Sequence, residues 1–125
     1  MKTRESNVKK ILIVEDELAI GELCRRVLTD EGFELDIAVN GRIAQDIIEE
    51  KQYDLFLLDI KTPEINGIEL YQWLEGKHPQ LANRVIFTSG SVIDKDIRIF
   101  LEQTGRPFLS KPFTSDELKA IVREI

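Results

Sequence analysis

Five short apolar runs alternate with five stretches of helical periodicity along this 125-residue chain. That rhythm is what strand–helix units look like in sequence, and it points to a layered α/β domain. Ile11–Val14, Leu55–Leu58 and Val85–Phe87 are uniformly apolar, as strands buried on both faces must be. Phe33, Leu35, Ile37 and Val39 instead alternate with polar residues, so this second strand is half exposed and belongs near an edge. Phe108–Leu109 is a short fifth strand. Right-handed crossovers between parallel strands put helices on both faces of the sheet. An outer second strand fits the order 2-1-3-4-5, as in flavodoxin-like domains.

The helices are marked by spacing and by caps. Leu18, Leu23, Val27 and Leu28 trace the first, which Gly32 stops. Ile43, Ala44, Ile47 and Ile48 trace a second, up to about Lys51. Asn66 is a candidate cap for a third, running to about Lys77 with Ile68, Leu70, Tyr71 and Leu74 inward. A fourth falls within Asp94–Gln103 on a weak pattern of Ile97, Phe100 and Leu101. Thr114 with Glu117 three residues on is a capping-box signature. It opens a last helix carrying Leu118, Ile121, Val122 and Ile125.

Size and composition narrow the function classes. The length suits one domain, and no linker, low-complexity stretch or long repeat divides it. Residues 1–9 read as an N-terminal tail and 10–125 as the domain. No apolar stretch approaches the ~20 residues of a membrane span, and the polar start lacks the apolar core of a signal peptide. A single cysteine, Cys24, permits no internal disulfide, which suits a reducing cytoplasm. It lies on the apolar stripe of the first helix and reads as a buried, inert thiol. A net charge of −6 argues against direct nucleic-acid binding, which relies on basic surface. His78, the only histidine, precedes Pro79 in an expected surface turn, so the chain offers no helix-borne phosphohistidine of its own.

The chemistry gathers at the strand ends. Ile11–Val14 runs into Glu15 and Asp16, Leu55–Leu58 into Asp59, Val85–Phe87 into Thr88 and Ser89, and Phe108–Leu109 into Ser110 and Lys111. In a parallel sheet these ends share the edge where open α/β sheets bind ligands. Two carboxylates ~4 Å apart repel by roughly 4 kcal/mol at an effective dielectric of 20. A cluster of Glu15, Asp16 and Asp59 therefore calls for a cation. Oxygen-only ligands indicate a hard metal, most simply Mg²⁺. A metal beside a lysine neutralises a phosphoryl group, toward which a carboxylate can act as nucleophile. Each residue alone has a plainer reading, as a helix-start acid, a turn former or a solvated lysine. Four strand ends agreeing is what sets those readings aside.

Taken in order, Ile11-Leu12-Ile13-Val14-Glu15-Asp16-Glu17, then Asp59, Pro63 and Gly67, then Thr88-Ser89-Gly90, then Lys111-Pro112-Phe113 resemble the receiver domain of two-component response regulators. The resemblance runs from about Lys10 to Ile125. It implies that Asp59 is the phosphoacceptor and that Mg²⁺ is held by Asp16, Asp59 and the backbone carbonyl of Lys61, with Glu15 acting through water. It implies that Thr88 turns toward the phosphoryl oxygen, that Lys111 pairs with the phosphoryl group, and that the Lys111–Pro112 bond is cis. Thr88 and Phe108 would be the switch pair, with output through the helix in Asp94–Gln103, the last strand and the last helix. A histidine kinase or phosphotransfer protein is the implied donor. The module would be a phosphoacceptor, with no enzymatic activity beyond self-catalysed phosphotransfer and autodephosphorylation.

Some positions depart from the pattern. Glu15 stands where many members have aspartate. Phe108 lacks a tyrosine hydroxyl, so it can change rotamer but cannot hydrogen-bond. Thr104-Gly105-Arg106-Pro107 differs from the stretch that precedes the last strand in DNA-binding members, leaving a homodimer open, and Phe100 through Phe113 is more like receivers attached to hybrid sensor kinases. No effector domain accompanies the sequence, so output is expected through surface contacts or another part of a longer protein. Two other classes remain. A haloacid-dehalogenase-like, Mg²⁺-dependent phosphatase would use an aspartate nucleophile, but usually carries a second aspartate two residues on, where this chain has Lys61. A nucleotide or flavin module needs a phosphate-cradling loop after the first strand, where this chain has Glu15-Asp16-Glu17.

Overall fold

In a computed structural model describing residues 8–90 and 93–124, the elements run β1 (Lys10–Val14), α1 (Leu18–Asp30), β2 (Glu34–Ala38), α2 (Gly41–Glu50) and β3 (Leu55–Asp59). They continue as α3 (Gly67–Lys77), α4 (Pro79–Ala82), β4 (Val85–Ser89), α5 (Lys95–Thr104), β5 (Phe108–Ser110) and α6 (Ser115–Arg123). All five strands pair in parallel, in the order β2-β1-β3-β4-β5. The expected order is therefore the observed one. Ile125 and most of the 1–9 tail lie outside the described residues.

The uniformly apolar strands are buried on both faces because alternate side chains enter two separate cores. Leu12, Val14, Phe56, Leu58, Val85 and Phe87 pack against Ala44 and Ile48 of α2 and Leu70, Tyr71 and Leu74 of α3. Ile11, Ile13, Leu55, Leu57 and Ile86 pack against Cys24, Val27 and Leu28 of α1 and Leu118 and Val122 of α6. β2 at one edge is half exposed along most of its length, as its alternation predicts. Cys24 is fully buried, and that burial pushes its thiol up to about 12.

Helix starts follow local chemistry. The Asn66–Glu69 and Thr114–Glu117 pairs both close full capping boxes, and Asn40 and Asp94 cap α2 and α5 through their side chains. The structure adds detail around His78. The segment after His78 is a single helical turn, α4, started by Pro79 at its first position, where proline's missing N–H costs nothing. His78 lies at the surface, as expected, and has partners there. Its Nε2 lies 3.0 Å from Glu49 Oε1, and its ring stands edge-on to Trp73. The weak pattern expected in Asp94–Gln103 does form a helix, α5, but none of its ten residues is buried. It rests on the half-buried Phe100, whose ring meets Tyr71 at 5.8 Å and Phe87 at 5.7 Å between centroids.

Candidate functional site

Register brings the strand ends together. Val14 pairs with Leu58, Asp59 with Thr88, and Ser89 with Ser110, so Glu15, Asp59, Thr88 and Lys111 leave the sheet at one edge. Backbone bonds carry the pairing past the strands: Glu15 N–H donates to Ala38 O, Ile60 N–H to Thr88 O, and Lys111 N–H to Ser89 O, at 2.9–3.0 Å. The Lys111–Pro112 peptide is cis.

One ammonium organises the centre. Lys111 Nζ lies 2.8 Å from Glu15 Oε1, 2.9 Å from Asp59 Oδ2 and 3.1 Å from Glu17 Oε1. The side chains of Glu15, Asp59 and Lys111 are 2%, 5% and 8% exposed, so these charges meet largely out of water. Burial would lower the lysine's affinity for its proton. Hydrogen bonds to Glu15 and Asp59 outweigh it and hold the ammonium charged. Glu15 is pushed up to about 7, first by burial and further by the Asp59 charge, against the hydrogen bonds it accepts from Lys111 and from Glu17 N–H.

Glu15, Glu17 and Asp59 each offer an oxygen within 4.8 Å of the others. Three carboxylates against one ammonium leave an excess of negative charge. The donor set holds only oxygen, so it fits a hard divalent cation and no soft one. The trio is not the one expected. Asp16 is exposed and lines the mouth of the site, an open cleft of about 480 Å³ bounded also by Glu17, Asp59, Lys61, Lys111 and Pro112. Glu17 carried no role in the sequence reading. Its signal was there, as the third acid in an unbroken run after β1.

The loop after β3 frames the other side. Lys61 N–H donates to Asp59 Oδ1 at 3.0 Å, fixing the carboxylate against its own chain. Gly67 starts α3 so close to that strand that a Cβ there would lie 2.5 Å from Asp59 O, which only glycine permits. Thr88, 2% exposed, donates its hydroxyl to Leu109 O at 2.6 Å, bridging β4 and β5. Phe108 is half buried against the α2–α3 core.

The family model for the response regulator receiver domain matches residues 11–123. This chain belongs to that family. As a receiver domain it is a signalling unit of two-component systems. Its likeness to relatives extends over nearly its whole length. The transcriptional regulatory protein CusR of Escherichia coli (strain K12) is 34% identical over 116 residues, covering 93% of this chain and 50% of that protein. The transcriptional regulatory protein CrdR of Helicobacter pylori is 29% identical over 115 residues, covering 92% and 54%. This receiver thus spans about half the length of those curated regulators. A receiver domain protein (CheY-like) from Methanospirillum hungatei JF-1 superposes with a TM-score of 0.85 at 28% identity, covering 94% of this chain and 93% of that one. The signal receiver domain of a signal transduction histidine kinase from Syntrophus aciditrophicus gives 0.79 at 27%, covering 94% and 92%.

The relatives qualify one expectation. CusR and CrdR are by name transcriptional regulators, so the acidic charge of this domain supports no exclusion of nucleic acid for a protein containing it. Among the described residues, no helix is long and apolar enough to cross a membrane.

Proposed function

We propose that this receiver takes a phosphoryl group onto Asp59 from a phosphohistidine of a histidine kinase or phosphotransfer protein. The supporting observation is the packing of buried Glu15 and Asp59 with Glu17 on the single ammonium of Lys111. Such a site carries surplus negative charge, is lined by oxygen, and opens to a cleft that a partner can enter. Mg²⁺ would be held by Asp16, Asp59 and the Lys61 carbonyl, with Glu15 acting through water. When bound, it supplies charge neutralisation for the phosphoryl oxygens.

The residues of the chain do the rest. An Asp59 carboxylate oxygen attacks phosphorus, the phosphorus–nitrogen bond of the donor breaks, and the imidazole departs with the electron pair and takes up a proton. Lys111 then pairs with the phosphoryl group in place of one carboxylate contact. The Thr88 hydroxyl exchanges Leu109 O for a phosphoryl oxygen, and Phe108 moves into the space this leaves, altering the surface of α5, β5 and α6. The domain of residues 10–125 works in this reading as a cytoplasmic phosphoacceptor, with no external substrate. A haloacid-dehalogenase-like phosphatase draws no support: Lys61 stands where that chemistry needs an acid, and the cleft is open.

The test is covalent labelling. Incubation with acetyl phosphate and Mg²⁺, followed by borohydride trapping and peptide mapping, should mark Asp59 alone. Labelling that persists in Asp59→Asn overturns the assignment.

A further inference from the structure

The loop between Asp59 and α3 carries Lys61, which lines the cleft, and its shape is set from outside the site. A Cβ at Gly41, the first residue of α2, would lie 2.1 Å from Ile65 O and 2.8 Å from Ile65 C and Cβ. No side chain fits there unless the helix or the loop withdraws by close to an ångström. The helix is the stiffer of the two. Ala44 and Ile48 on its inner face are 0% and 6% exposed within the α2–α3 core, and Asn40 caps its start. The loop is the part free to yield.

Ile65 O, the atom that meets Gly41, also accepts the hydroxyl of Thr62 at 3.1 Å. Thr62 is 5% exposed and adjoins Lys61. Gly67 N–H donates to Ile60 O at 3.2 Å, and Glu64 between them sits at a φ of 67°, strained for a residue with a side chain. The loop is thus a small closed ring, pinned at its base by Gly67 and at its crown by Gly41, with Thr62 bracing it across.

We infer that Gly41 and Thr62 are positioning residues: through Ile65 O they hold the loop so that the Lys61 carbonyl is set at the distance a small divalent ion requires. The inference rests on the proposed function, which gives that carbonyl its role. Mg²⁺ demands near-ideal octahedral distances of about 2.0–2.1 Å, whereas Ca²⁺ accepts longer, irregular contacts. A displaced carbonyl should therefore cost Mg²⁺ more than Ca²⁺. A purely structural role would not produce this difference.

The experiment titrates each ion into full-length variants and follows the backbone amides of Asp59 and Lys61 by NMR. Gly41→Ala should weaken Mg²⁺ by about 10-fold or more, within the ~10–100-fold typical of supporting residues around a metal, and weaken Ca²⁺ distinctly less. Thr62→Val should move the same way, and Thr62→Ser, which keeps the hydroxyl, should restore wild-type affinity. Gly76→Ala is the control, because a Cβ at Gly76 meets nothing within 4 Å. If Gly41→Ala does not fold, the Thr62 pair decides. Wild-type Mg²⁺ affinity in Gly41→Ala or Thr62→Val, or equal losses for the two ions, overturns the inference and leaves the site reading standing. Wild-type protein that shows no Mg²⁺-dependent shift at Asp59 and Lys61 overturns both.

Discussion

Replacing Lys111 by methionine tests how the site is held before any ligand arrives. The substitution keeps most of the aliphatic stem, so little cavity is created, and removes the ammonium alone. Glu15 and Asp59, nearly inaccessible to water, then lose the only cation that an ion pair gives either of them among the described residues. Without that ammonium the carboxylates repel wherever both of a pair are charged, and Glu15, already pushed up to about 7 by burial, loses the hydrogen bond that opposed the rise. At the 4.8 Å limit of their separation, each pair repels by about 3.5 kcal/mol at an effective dielectric of 20. Partial exposure of Glu17 lets it swing away, which leaves the Glu15–Asp59 pair as the main cost. Removing one partner of a buried pair costs about 3–5 kcal/mol, against roughly 5–15 kcal/mol for a whole domain. With a slope of roughly 1.5 kcal/mol/M in urea, the midpoint should fall by about 2–3 M. The assay is urea unfolding in EDTA at pH 8, followed by circular dichroism. Adding Asp59→Asn to Lys111→Met removes one buried charge and should return about 2 kcal/mol. A loss under about 1 kcal/mol, or a double variant weaker than the single, would refute the view that one ammonium balances these carboxylates.

Four further expectations follow from the same structure. Thr88→Val removes the buried hydroxyl that bridges β4 to Leu109 O and should cost about 1–2 kcal/mol by thermal melting, with Thr88→Ser closer to wild type. Phe87→Ala, at a fully buried position, should destabilise by about 3–5 kcal/mol. Phe100→Ala should cost less globally but speed amide exchange selectively in α5, which buries no residue of its own; uniform acceleration across the domain would count against that local weakness. Beryllofluoride with Mg²⁺ should shift amides most in residues 88–105 and 108–113 and little in 41–51. Changes confined to the cleft loops, with Phe108 fixed in one rotamer, would leave simple phosphate relay as the better account.

Much of this molecule is written locally. Continuous apolar runs can satisfy themselves only between two layers of helices, so Ile11–Val14, Leu55–Leu58 and Val85–Phe87 declare central strands, and the alternation around Leu35 and Ile37 declares an edge. Asn66 and Thr114 announce their helices because a cap acts within one turn. The convergence of Glu15, Asp59, Thr88 and Lys111 was legible too, since parallel strands must end on the same side. What stayed hidden depends on distances between segments far apart in the chain. Glu17 rather than Asp16 joins the buried pair because Lys111, 94 residues away, offers three donor directions and takes the carboxylates that reach it. α5 keeps a helical pattern yet buries no residue, because its contact with the core runs through Phe100 against Tyr71 and Phe87, which lie far off in the chain. The approach of Gly41 to Ile65 O leaves no trace in periodicity. It arises only when two crossovers dock their ends, and that packing decides where the loop beside Asp59 stands.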